Sequence, residues 1–362
     1  MQGSEHHFVP QFYLRAFSLD GRSVSCFNFA RERWVKQASI KHQCARHNFH
    51  AFAPRLEKQL SILEARAAST MRIIREHRTL PLLDSQHWEW LLTYLIYQKC
   101  RTPRATQMLT KMTDYFRETL GEAAPPAGEL VDEHPVAVTL KVAGDILPVA
   151  RDLEMHLVCN DTATEFITSD DPVVVHNQFC EGVKHTGTLG WNCRGFQAFL
   201  PLSPKELLVL FDTAVYRVGE SHKGVRTTHA RSEHDIEIFN ALQILNADEN
   251  AYFANTRGDG KAAQQCWALA KRRQPNRLTI IETERVKETD SRDSAIIGHF
   301  EGLLPIHLET SVISVQKRAK QIPLDQRARM YRNLRPSPNA APPPPRSRRE
   351  TVRYPVKSVS RR

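Results

Sequence analysis

EMHLVC (Glu154–Cys159), EFIT (Glu165–Thr168), PVVV (Pro172–Val175), QAFLPL (Gln197–Leu202) and LLVLF (Leu207–Phe211) are runs rich in β-branched, aromatic and aliphatic residues, separated by turn-forming ones. Runs of this length and composition read as strands. The residues before them follow a different period. From Pro54, a favoured first-turn residue, Leu56, Leu60, Leu63, Ala67, Met71 and Ile74 recur at helical spacing to about His77. A second helix is expected after Asp84, read as its N-cap, with Trp88, Leu91, Leu92, Leu95 and Ile96 on the buried face. Pro103 should end or kink it, and helical character resumes through Met108, Met112, Phe116 and Leu120.

Working outward, Val24–Phe29 and Trp34–Gln37 predict an N-terminal β-hairpin across the polar turn 30–33. Glu122–Glu133 reads as a loop. Ser232 with Asp235 has the spacing of a capping box opening a helix to about Asn246. Leu278–Glu284 and Val312–Val315 read as late strands. Helices and strands segregate rather than alternate. The expectation is therefore an α+β fold, with long helices packed on an antiparallel or mixed sheet. Residues 1–333 are expected to form a single domain, helical over about 54–121 and strand-rich over about 150–315.

The net charge of +10 invites a nucleic-acid reading, but it is unevenly placed. Residues 335–362 hold seven arginines, Lys357 and Glu350, a net of +7, leaving +3 for the first 334 residues. With the proline run 342–345 and few large apolar residues, segment 334–362 is expected to be a disordered basic tail that could hold nucleic acid or an acidic partner. No stretch has the roughly 18–20 uninterrupted apolar residues of a membrane span, and Met1–His7 lacks the basic and apolar regions of a secretory signal. The cytoplasm is the expected compartment. Seven scattered cysteines without a CxxC pair predict reduced, buried thiols. Cys44, His47 and His50 lack the separated second pair of a zinc finger. Walker, dinucleotide-binding and nucleophile-elbow motifs are absent, which removes P-loop, Rossmann and α/β-hydrolase readings.

Polar residues on apolar faces mark the candidate site. Glu64 falls four residues after Leu60 and three before Ala67, on the buried stripe. Gln98 and Arg101 repeat the anomaly on the next helix, and Arg101 is the natural partner for Glu64. His6 and His7 sit on an extended segment where neighbours point to opposite faces, so one of them is expected to enter a given site. Ser169 and Asp170, in Thr168-Ser169-Asp170-Asp171-Pro172, lie at a strand end, where a carboxylate can hold a metal or orient a histidine. The bland alternatives are a packing Glu–Arg link and ordinary turn chemistry.

These motifs are familiar. His6-His7-Phe8-Val9-Pro10-Gln11-Phe12-Tyr13-Leu14-Arg15-Ala16-Phe17 resembles the opening of the bacterial domain of unknown function 4238. Gln98-x2-Arg101-Thr102-Pro103, Phe166-Ile167-Thr168-Ser169-Asp170-Asp171-Pro172-Val173 and Pro201-Leu202-Ser203-Pro204 follow in that family's order, over roughly residues 5–255. At His50 the resemblance departs, since relatives carry an aromatic there. The resemblance implies a fold boundary and a shared set of site residues, but no reaction. Two functions fit. One is a hydrolase acting on phosphodiesters, with His6 or His7 as base or ligand, Glu64 and Asp170 as carboxylates, Arg101 as anion clamp, and a divalent metal as candidate cofactor. The other is a non-catalytic sensor or partner-binding protein whose polar cluster is structural.

Overall fold

The computed structural model describes residues 5–47, 49, 54–120, 134–183, 187–254, 260–273, 278–287 and 293–332. The expected loop 122–133, His50 and the basic segment 334–362 lie outside the described residues.

The chain opens with strand β1 (Glu5–His7), the short helix α1 (Gln11–Arg15), and the hairpin β2 (Ser23–Asn28) and β3 (Arg33–Ser39). β4 (Ala45–His47) returns to pair antiparallel with β1, setting His6 opposite Arg46. Four helices follow: α2 (Pro54–His77), α3 (Gln86–Cys100), α4 (Pro103–Leu120) and α5 (Pro135–Ala150). α3 stops at Cys100 and α4 restarts on Pro103, where a missing N–H costs nothing. The N-cap of α3 is Ser85, not Asp84: Ser85 Oγ accepts from Trp88 N at 3.3 Å, while Asp84 takes a left-handed φ of 58° in the turn before it.

The strand-rich half contains β5 (Glu154–Asn160), β6 (Thr168–Ser169), β7 (Val174–His176), β8 (Gln197–Pro201), β9 (Glu206–Phe211), β10 (Tyr216–Val218) and β11 (Thr227–Ala230). Helix α6 (Glu233–Asn246), β12 (Asn250–Phe253), helix α7 (Lys261–Ala270), β13 (Leu278–Lys287), β14 (Asp293–Glu301) and β15 (Ile313–Val315) complete the main elements. Five strands form a mixed sheet in the order β11-β5-β9-β8-β7, with only the β11–β5 pair parallel. A second sheet runs β3-β2-β12-β6 and is antiparallel, joining the N-terminal hairpin to strands more than 120 residues away. The fold is α+β.

Strand alternation builds the core. On β5, Met155, Leu157 and Cys159 face the helices, with Trp88, Leu91 and Leu95 of α3 and Val136 and Leu140 of α5. Val158 points the other way, with Val209 and Phe211 of β9, against Phe239 and Leu242 of α6. The far side of α6 puts Ile244 against Phe27, Ala251 and Phe253 of the second sheet. α6 therefore lies between two sheets, which explains why ten of its 14 residues are buried. All seven cysteines are free and buried.

The expected capping box does not form. Ser232 makes no side-chain cap bond, and Asp235 instead accepts from Ser311 N and Oγ at 2.8 and 2.5 Å. Helices α5 and α7 are additions to the expected elements: the first is nearly uniformly apolar and the second is short. The EFIT run is extended but pairs only at its end, as β6. Among the described residues, no helix is long and apolar enough to cross a membrane.

Candidate functional site

A cleft of about 400 Å³ opens where β1, α1 and α2 meet. Each wall follows from local spacing. β1 contributes Glu5, His6 and His7. Pro10, extended at φ −63° and ψ 147°, turns the chain into α1, whose Gln11 and Arg15 stand one turn apart on the same face. α2 contributes Glu57, Leu60 and Glu64, whose i, i+3 and i+7 positions form one stripe. Arg101, just past the end of α3, forms the deep wall.

Both histidines line the cleft, contrary to the expectation that one would. β1 is only three residues long and sits at the rim, so the cleft wraps around it. His6, nearly fully buried, has Nε2 3.3 Å from Glu57 Oε1 on one side. His7, half-buried, lies on the other. Its Nδ1 is 3.0 Å from the Gln43 carbonyl oxygen and its Nε2 is 2.9 Å from Gln11 Nε2. Gln11 Oε1 accepts from Arg15 Nη2 at 2.8 Å. Burial holds the His7 imidazole below its usual pKa, with Arg101 adding to that effect, while the Gln43 carbonyl, Glu5 and Glu64 oppose it.

Arg101 is 2% exposed and bracketed by two partners. Nη1 donates to Glu64 Oε1 at 2.5 Å, and Nε and Nη2 both donate to Gln98 Oε1, at 2.9 and 2.6 Å. Gln98 Nε2 in turn donates to the Phe8 carbonyl at 3.0 Å. Glu64 is therefore not the buried carboxylate its place on the stripe implied: its side chain is 29% exposed at the wall of an open cleft. Gln98 sits behind the wall and ties α3 to the backbone leaving β1. The Tyr94 ring lies beneath the guanidinium, and its hydroxyl is buried.

Ser169 and Asp170 are elsewhere. Asp170 is buried and accepts from the backbone N–H groups of Asp248, Glu249 and Asn250 at 2.8, 2.7 and 2.9 Å. Burial, reinforced by nearby Asp248, pushes its carboxyl up to about 7, against three N–H groups that favour the carboxylate. Ser169 Oγ donates to Gln243 Oε1 at 2.9 Å. Along α6, Asn240, Gln243 and Asn246 grip the same segment, donating to the carbonyls of Glu165, Pro172 and Asp171. The Thr-Ser-Asp-Asp-Pro element is held through the Ser169 and Asp170 side chains as well as the Asp171 and Pro172 carbonyls.

The structure thus brings His6, His7, Glu64 and Arg101 to one opening, with Gln98 bracing them, and sets Ser169 and Asp170 apart. Sequence patterns alone miss Gln11, Arg15, Glu57 and Tyr94. Glu57 has a signal, lying two turns before Glu64 on the same face. Gln11 and Arg15 have a weaker one, an amide and a cation at i, i+4 directly after the His-Phe-Val-Pro run. Among the described residues, no three histidine, cysteine, aspartate or glutamate side chains come together to hold a metal ion. Cys44 is buried against the Tyr252 hydroxyl, 3.3 Å away, and His47 is exposed on β4.

No curated protein and no solved structure matches the chain. One sequence family does, over residues 5–257, a span that takes in β1, the cleft, both central sheets and α6. By that match the chain belongs to the family described as "Protein of unknown function (DUF4238)".

Proposed function

We propose that the cleft is the active site of a hydrolase, that phosphodiesters are its substrates and that His7 is its general base. One observation carries the reading: His7 Nδ1 is engaged by the Gln43 backbone carbonyl, which turns Nε2, with the Gln11 amide 2.9 Å away, to the cleft wall shared with Glu64 and Arg101. When water displaces the Gln11 amide from Nε2, a neutral imidazole held this way takes a proton from that water. The water oxygen attacks phosphorus, the bond to the leaving oxygen breaks as that oxygen takes up a proton from solvent, and the Arg101 guanidinium balances the added negative charge.

Charge bears on the cofactor. Glu5, Glu57 and Glu64 against Arg15 and Arg101 leave the lining at a formal −1 when both histidines are neutral. A phosphodiester adds another negative charge. A divalent cation arriving with the substrate would relieve both, and Glu57 and Glu64 are the carboxylates on hand to meet it. Seven free, buried cysteines support residence in a reducing bacterial cytoplasm. The arginine-rich segment 335–362 would add a salt-sensitive hold on an anionic partner.

The test is hydrolysis of single- and double-stranded DNA, RNA and a chromogenic phosphodiester, with Mg²⁺, Mn²⁺, Zn²⁺ or chelator. Turnover that His7→Gln lowers while the melting temperature holds supports the assignment. No turnover by the wild-type chain on any of them removes it. The second reading, a non-catalytic binding protein, draws on Gln98, Ser169 and Asp170. All three brace the fold, so much of the singled-out polarity serves architecture. Ligand binding at the cleft without turnover would favour it.

A further inference from the structure

The reading of His7 as general base leaves open what selects its tautomer, and the cleft supplies an answer through its donors and acceptors. A guanidinium carries only donors. Arg15 Nη2, 2.8 Å from one end of the Gln11 amide, must therefore meet its oxygen. That turns the Gln11 nitrogen, which only donates, toward His7 Nε2 at 2.9 Å. Nε2 must then accept, so the ring proton sits on Nδ1, and Nδ1 has a matching acceptor in the Gln43 carbonyl at 3.0 Å. Every link agrees with the next. Reversing the amide would place its oxygen on Nε2 and require a proton there.

Resting on that reading of His7, we propose that Gln11 and Arg15 are positioning residues that hold the His7 ring as the Nδ1–H tautomer, with Nε2 as the bare nitrogen. The charge on Arg15 orients an amide, and the amide reads that orientation out to the ring. The four side chains and carbonyls involved come from three places, β1, α1 and the segment before β4, so the tautomer depends on their packing together. The other charged groups that bear on the ring are Glu5 from β1 and Glu64 from α2, which favour the imidazolium, and Arg101 beyond α3, which opposes it. Gln11 stands against the carboxylates by offering Nε2 a donor, which an imidazolium cannot accept.

The test reads the imidazole directly and needs no substrate. In the full-length chain labelled with ¹⁵N-histidine, long-range ¹H–¹⁵N correlation spectra identify the protonated ring nitrogen, and His7 is assigned by its loss in His7→Gln. At pH 8 the wild type is expected to show Nδ1 protonated and Nε2 bare. Gln11→Glu replaces the amide with a group that only accepts, so His7 should stay protonated to a pH about one unit higher. Arg15→Gln, an exposed change that leaves the fold intact should Gln11→Glu not fold, frees the amide to turn and should introduce the Nε2–H form. An Nε2–H tautomer in the wild type overturns the proposal, as does a wild-type His7 spectrum and titration in both variants. Absence of turnover removes the hydrolase reading while leaving these resonances as they are, so the two failures are separable.

Discussion

The cleft and the Asp170 turn both rest on acids and amides, yet they are built in different ways. At the turn, side chains meet backbone: Asp170 takes three main-chain N–H groups, and Asn240, Gln243 and Asn246 reach carbonyls of the segment from Glu165 to Pro172. The partners are fixed and water is excluded. At the cleft, side chains meet other side chains as well as the carbonyls of Phe8 and Gln43, and one edge opens to solvent. A buried polar group answered by backbone takes the place of a secondary-structure bond for chain that has none. One answered by other side chains at an open wall can exchange its partner for a ligand.

The sharpest way to break this contrast is a pair of substitutions with opposite readouts. His7→Gln should lower turnover by about 10²–10⁴-fold while changing stability by less than about 1 kcal/mol. Asp170→Ala should leave three N–H groups without their acceptor and destabilise the fold by about 3–5 kcal/mol in urea or thermal unfolding. Should the first variant unfold and the second only lose activity, the two regions have been assigned the wrong way round. A smaller effect sharpens the architectural side. Gln243→Leu strands Ser169 Oγ and the Pro172 carbonyl and should lower stability by about 1–3 kcal/mol, with the cleft's ligand binding unchanged.

The pH response separates the regions further. His7 has a folded pKa below its ordinary value, so its neutral form contributes stability that is full above about pH 6.5 and lost as pH falls through the lower folded value. The acid limb of turnover should accordingly lie below that of an ordinary histidine, as a pH–rate profile will measure. His156, buried on β5 with Nε2 2.8 Å from Thr228 Oγ1, is lowered to about 4 by burial and then by Arg226. It carries the same sign, so its own contribution to stability should decline between about pH 6.5 and 4, opposed by Asp170, whose raised carboxyl adds stability as pH falls below about 7. His156→Gln should flatten that decline without moving the turnover limb. The smallest effect is expected from Glu57→Gln at the half-exposed end of the His6 pair, within about 0.5 kcal/mol of stability. A larger loss would mean that His6 is a packing residue.

Much of the fold is legible in the sequence. The helical stripe from Leu60 to Ile74, the break at Pro103 and the strand runs of residues 154–211 are local patterns, and local patterns set element type. Glu64 with Arg101 is also legible, because two opposite charges on apolar stripes have few ways to be satisfied. Helix α5 is not, since Lys141 and Asp145 are the only charged residues in Pro135–Ala150 and mark little of its period. Asp235 misleads because Ser311, 76 residues away, takes the carboxylate that the capping pattern assigns to its own helix.

By itself the sequence determined the α+β class, the division between strand-rich and helical halves, the placement of most of the net positive charge beyond residue 334, and a short roster of awkward polar residues. Each of these depends on composition or on spacing along the chain. Only the tertiary structure decided how the roster divides. It put His6 and His7 at one rim, supplied Gln11, Arg15 and Glu57 as their neighbours, and enclosed Asp170 among backbone N–H groups from residues 248–250. The reason is physical: a polar side chain's role is set by what satisfies its hydrogen bonds, and the deciding partners at Gln43, Glu64, Gln243 and residues 248–250 lie 36 to 80 residues away, where no periodicity reaches.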